Sequence, residues 1–190
     1  MTARRERHLV DPCPGQAVRI PRHPHISKER PMAMTSPTAD RLERLGIELS
    51  RPVSPVANYV PAVKSGKLVF ISGQIALGES GEIASRHRGK LGAEVSHQNG
   101  RDAARQCAIN VLSQLNAEIG GIERVVRCVR LTGYVNCTPD FQSLPQIMNG
   151  ASDLMTEVFC GSGRHARTTV GVAQLPLDSA VEIEAIFEIS

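Results

Sequence analysis

Near its C-terminus the chain runs AVEIEAIFEI, where Val181, Ile183, Ala185, Phe187 and Ile189 alternate with Glu182, Glu184, Ile186 and Glu188. Successive side chains of a strand point to opposite faces, so this segment reads as a strand with one apolar and one largely acidic face. Only one side of its sheet lies in the core. The other long periodic segment supplies the cover. In HQNGRDAARQCAINVLSQLNAEI, Ala103, Cys107, Val111, Leu115 and Ile119 recur every four residues, flanked by Ala104, Ala108 and Leu112. That is one broad apolar stripe on a helix, with Ser96 as N-cap and Gly120-Gly121 as the stop. Cys107 falls inside the stripe, which makes it a packed small hydrophobe rather than a nucleophile.

The remaining segments fill in the order of elements. ADRLERLGIEL reads as a short helix capped by Asp40. NYVPAVKSGKLVFISGQIAL reads as a hairpin turning at Lys64 to Lys67, and the Gly-rich, charged stretch after it as a second hairpin or loop with Arg86, His87 and Arg88 at a solvated tip. VVRCVRLTGYVNC is rich in β-branched residues and predicts a strand. A second main helix should start near Pro145, which cannot donate within a helix interior, and run to Phe159. TTVGVAQL and the terminal strand follow. Hairpin, helix, strand, helix and two strands make an α+β domain, with two main helices packed on one face of a mixed sheet.

Composition narrows the functions available. The formal net charge is +3, with 22 Lys/Arg against 19 Asp/Glu. Residues 1–33 hold seven Lys/Arg and three Asp/Glu, which leaves fifteen basic and sixteen acidic residues for the rest, so it is near neutral. Two Tyr, four Phe and no Trp offer few stacking platforms, which argues against nucleic acid as a partner. No apolar run is long enough to span a membrane. Five widely spaced cysteines without a CxxC pair suggest neither a disulfide framework nor a zinc site, and a cytoplasmic setting is expected. No metal or other cofactor is expected. Residues 1–37 are proline-rich and lack apolar periodicity; they read as a disordered or spurious extension before a domain at 38–190, with Met32 and Met34 as other possible translation starts.

The most chemically loaded stretch is Gly161-Ser162-Gly163-Arg164-His165-Ala166-Arg167. Glycines allow close backbone approach, and guanidinium groups beside exposed amides suit a carboxylate or phosphate. A charged surface loop before a strand is the competing reading, and the spacing matches neither a Walker loop nor a dinucleotide fingerprint. From Ala166 to Ile189, however, ARTTVGVAQLPLDSAVEIEAIFEI closely resembles the signature of RidA/YjgF proteins, also called L-PSP endoribonucleases, in which an arginine opens a V-x-V-x-x-L-P strand. NYVPAVKSGKLVFISGQI, the helix and strand after Ser96, and NGASDLMTEVF agree in the same order. The resemblance spans roughly residues 42–190. The loop around 79–95, the insertion near Pro145, and the NGASD and GRHAR blocks mark a divergent branch.

The resemblance implies a chorismate-mutase-like α+β fold, a homotrimer with clefts between subunits, and hydrolysis of reactive enamine/imine intermediates of the 2-aminoacrylate type to 2-keto acids and ammonia. By position it makes Arg167 the partner of the substrate carboxylate and Glu182 the residue that activates water. It makes Tyr59, Ser72, Gly73 and Asn149 pocket residues, and Thr169 stands where many members carry cysteine. Because an imine is already electrophilic, orientation and proton transfer matter more than a covalent nucleophile, so Thr169 need not abolish activity. His165 could be a pocket base or an ordinary surface or interface histidine. A trimer that binds or senses a 2-keto acid without turnover, an endoribonuclease and a chorismate mutase are the rival readings; the last rests on shared architecture alone.

Overall fold

A computed structural model describes residues 36–49, 52 and 58–190. Nearly all of the proposed N-terminal extension lies outside these residues. The first helix, α1, spans Pro37–Arg44 and is capped by Ser36, whose Oγ accepts from the Ala39 amide at 3.1 Å. The cap expected at Asp40 is corrected to Ser36. Proline at the first helical position has no N–H to lose and a preset φ, so the helix can begin earlier than the leucine spacing suggested. Arg41 Nε donates to the Val158 carbonyl at 2.5 Å and ties α1 to the second main helix.

Strands β1 (Ala62–Ser65) and β2 (Leu68–Ile75) form the expected hairpin, with Ser65 opposite Leu68 across the turn. Helix α2 covers His97–Ile119, starts at the Ser96 cap and stops at Gly120 in the left-handed conformation. Strand β3 runs Val125–Asn136, helix α3 Leu144–Phe159, strand β4 Ala166–Val172 and strand β5 Val181–Ile189. The sheet order is β1-β2-β5-β3-β4, antiparallel except for the β3/β4 pair. The acidic strand predicted from its alternation is thus the centre of the sheet. Its Val181, Ile183, Ala185, Phe187 and Ile189 are buried, while the glutamates and Ile186 on its other face are only partly covered.

Helices α2 and α3 lie side by side on the apolar face. Val111, Leu112 and Leu115 of α2 are fully buried, as are Ile147, Met148, Leu154 and Met155 of α3. Four large aliphatics on α2, these three and Ile119, represent a gross burial gain of about 6–12 kcal/mol, most of it offset by chain entropy. Salt bridges Arg101–Asp153 at 3.0 Å and Arg105–Glu157 at 2.8 Å join the solvent sides of the two helices. Being exposed, they add little stability.

The loop between β2 and α2 is not the solvated excursion that its charges suggested. His87 is buried, and its carbonyl accepts from the Ala180 amide at 2.9 Å, next to central strand β5. Fully buried Asn136 donates to the Gly89 carbonyl at 3.2 Å and to Asp178 Oδ1 at 3.1 Å, and Lys90 Nζ donates to Asn136 Oδ1 at 2.6 Å. Pairing of the loop's polar groups with the sheet end holds it down, something local composition does not encode. Cys107, Cys128 and Cys137 are free. Cys160 is disulfide-bonded.

Candidate active site

Strand register decides which of the expected site residues can meet. In a sheet, paired residues share a face. Leu131 pairs with both Arg167 and Ala185, and Gly133 with both Thr169 and Ile183, so Arg167 and Thr169 lie on the helix side of edge strand β4. Tyr134 pairs with Glu182, placing the carboxylate on the open face. Arg167 and Glu182 are also two strand spacings apart, roughly 10 Å, and offset along the strands by three residues, roughly another 10 Å. Within one chain they do not form a common site.

Each side is nonetheless organised. On the helix side, Arg167 Nη1 donates to Asn149 Oδ1 at 2.9 Å and to Ser152 Oγ at 3.0 Å, while Nη2 donates to the Pro145 carbonyl at 3.3 Å. Asn149 and Ser152 come from adjacent turns of α3, so the helix orients the guanidinium plane. Of the five donors of an arginine, these bonds use three and leave Nε–H and one Nη2 N–H for a ligand. The arginine itself is exposed at the sheet edge. His165, half-buried, completes the cluster: its Nδ1 is 2.6 Å from the Gly163 carbonyl and its Nε2 3.0 Å from Ser152 Oγ. Burial, followed by the nearby Arg167 charge, pulls this histidine below its usual titration range, against the raising effect of the Gly163 carbonyl. His165 also borders a groove of about 650 Å³ that Arg127, Arg164 and Glu188 help line.

On the open face, β2 bulges between Ile71 and Gln74, displacing Ser72 and Gly73 from regular pairing with β5. The Glu182 carboxylate occupies the space. A Cβ built on Gly73 would stand 1.9 Å from Glu182 Oε1, so glycine is required for the carboxylate to lie there. Ser72 Oγ donates to the Val60 carbonyl at 2.9 Å, and the Ser72 amide to the Pro61 carbonyl at 2.9 Å, fastening the segment that carries exposed Tyr59 beside the bulge. Burial, then the Glu184 charge, pushes the Glu182 carboxyl above its ordinary range. Tyr134 is likewise pushed up, by burial first and then by Glu184, with which it shares a hydrogen bond.

The structure therefore sorts the expected residues into two groups: Arg167, Asn149 and Thr169 on the helix side of β4, and Glu182, Ser72 and Gly73 at the open face, with Tyr59 exposed on the segment that Ser72 fastens. Ser152 was missed by sequence reasoning. A serine in the middle of an amphipathic helix carries no local signal; only its contact with β4 reveals it. His165, left between pocket and surface, belongs to the Arg167 cluster. No helix among the described residues is long and apolar enough to cross a membrane.

Comparison with known proteins agrees with this architecture. The family model for endoribonuclease L-PSP matches residues 49–189. The chain is 44% identical over 153 residues to Protein TCP17 of Trypanosoma cruzi, covering 80% of this chain and 94% of that protein. It is 32% identical over 141 residues to a 2-iminobutanoate/2-iminopropanoate deaminase of Dermatophagoides farinae, covering 73% and 92% respectively. A crystal structure of a protein of unknown function from Agrobacterium tumefaciens superposes with a TM-score of 0.74 at 40% identity, over 80% of this chain and 92% of that one. With the family model spanning well over half of the sequence and the expected α+β fold in place, the chain belongs to the endoribonuclease L-PSP family, the RidA/YjgF proteins.

Proposed function

We propose that the protein hydrolyses small enamine/imine intermediates of the 2-aminoacrylate type to 2-keto acids and ammonia, at a site shared between copies of the chain. The observation that carries this reading is the division into two complementary groups on opposite faces of the sheet. One offers an oriented guanidinium with donors to spare; the other offers a carboxylate held above its ordinary range by burial. Brought together by a second copy, and in a homotrimer three times over, they supply the two things the reaction needs. Arg167 fixes the substrate carboxylate through parallel charge-assisted hydrogen bonds. Glu182 takes a proton from water as the water oxygen attacks the carbon of the protonated imine and passes it to the nitrogen of the resulting carbinolamine; it then takes the hydroxyl proton as the keto C=O forms, the C–N bond breaks and ammonia departs.

The open face supports the assembly. Val63, Leu68, Phe70 and Val170 are exposed on the sheet, a row of apolar groups that a monomer would leave in water. The test is direct: 2-iminopropionate generated in situ by an amino-acid oxidase should disappear faster with the protein present than without it. No acceleration by a folded oligomer that binds a 2-keto acid would instead make the protein a carboxylate sensor. Cleavage of RNA without imine hydrolysis would favour the activity in the family's name.

A further inference from the structure

The hydrogen bonds around His165 fix its tautomer. A carbonyl oxygen can only accept, so at 2.6 Å from the Gly163 carbonyl Nδ1 must carry the proton and donate it. In the neutral ring Nε2 then holds a lone pair, and the Ser152 hydroxyl 3.0 Å away donates to it. The same Oγ accepts from Arg167 Nη1 at 3.0 Å. Ser152 thus has its proton directed at an imidazole base, one lone pair engaged by a cation, and one lone pair left. We propose that Ser152 is a base-activated nucleophile, with His165 as general base and the Gly163 carbonyl as its orienting group, giving the protein an acyl-transfer hydrolase activity on small esters.

The arrangement contains the parts such chemistry requires: nucleophile and base within hydrogen-bond reach, and a third group holding the base in the right tautomer. Here a backbone carbonyl takes the place usually filled by a carboxylate. Its position is set by packing. Gly163 is buried, and a Cβ there would come within 2.1 Å of the Met155 carbonyl oxygen, so the turn before β4 sits directly on α3. That seat brings His165 over Ser152. The adjacent guanidinium favours the neutral ring and stabilises negative charge on Oγ, and its unused N–H groups can face an oxyanion.

The reaction proceeds without an added reactant other than water. The Ser152 proton passes to His165 Nε2 as Oγ bonds to the ester carbonyl carbon, and the carbonyl π pair moves to oxygen. On collapse the C–O bond to the leaving alcohol breaks, and that alcohol takes the proton from Nε2. Water then attacks the acyl-serine, with His165 again removing a proton and returning it to Oγ, which releases the carboxylic acid. This activity goes beyond imine hydrolysis, in which the attacking group is water activated on the other face of the sheet.

A fluorophosphonate probe tests it on the full chain. The probe's phosphorus bonds to a base-activated serine and fluoride leaves; intact mass should rise by one adduct, and peptide mass spectrometry should place it on Ser152. His165→Ala should slow labelling about a hundredfold or more, and added imidazole should restore part of the rate, a recovery that a strut merely supporting Arg167 would not give. Circular dichroism and light scattering establish that the variant is folded and assembled like the parent. Absence of an adduct on Ser152 in the folded protein would overturn the proposal, as would an adduct whose rate is the same in His165→Ala. Loss of imine hydrolysis in the oxidase assay does not bear on this result, since Glu182 has no part in the labelling.

Discussion

Replacing Arg167 with alanine removes three bonds to the protein and the two donors left for a ligand. The protein bonds are made at an exposed edge, where water can replace them, so their loss should cost no more than about 1 kcal/mol of stability. In a chain of this size that is a fall in Tm of about 2–4 °C. The ligand bonds are worth more. Hydrogen bonds to charged groups contribute about 1.5–3 kcal/mol each, and two of them to a substrate carboxylate total about 3–6 kcal/mol. At about 1.4 kcal/mol per tenfold, the lower end predicts a drop in imine hydrolysis of about a hundredfold, which is the expected minimum once a second copy shields the site. Arg167→Lys keeps the charge but lacks the planar fork, and its ammonium must serve Asn149, Ser152 and substrate at once; about a tenfold loss is expected. The assay is oxidase-generated 2-iminopropionate decay, with light scattering and a thermal melt on each variant. Full activity in a well-folded Arg167→Ala oligomer would refute the carboxylate-clamp reasoning and return the GRHAR loop to an ordinary charged surface turn.

Further outcomes are expected from three substitutions and one mass measurement. Glu182→Gln should depress turnover while leaving binding of a 2-keto acid, followed by calorimetry, largely intact. The same substitution has a stability signature: the folded-state pKa of Glu182 is raised above its ordinary 4.5, so its favourable contribution is complete below that value and lost as pH climbs through the raised one. Glu182→Gln should therefore raise Tm at pH 7 and leave it unchanged below pH 4. Gly73→Ala drives a methyl into the Glu182 carboxylate and should lower activity much more than Tm, whereas an equal loss of both would mean the bulge is structural. Leu115→Ala, at a fully buried position of α2, should cost about 2–5 kcal/mol and lower Tm by roughly 5–15 °C. Light scattering should give about three times the 20.5 kDa chain mass, and a monomer at micromolar concentration would remove the shared site.

The sequence alone determined the order of the main elements and, for β5 and α2, the face that is buried. Period-two alternation in β5 and the four-residue stripe of α2 report which face meets the core, because strand and helix geometry translate spacing directly into direction. Pro145 marked a helix start through its missing N–H, and Ser96 through its side-chain oxygen, which accepts from the Asn99 amide. The motif around Arg167 identified the family and nominated Arg167, Thr169 and Glu182 as candidates. What only the tertiary structure decided is where those residues stand relative to one another. Ladder register put Arg167 and Glu182 on opposite faces, although they are close in sequence and part of one motif. The Ser152–His165 contact depends on α3 seating against the turn before β4, and the burial of His87 on a loop pinned by Asn136 and Ala180. Each is a long-range pairing: the sequence states which way a side chain points from its own element, and the packing of elements sets what it meets.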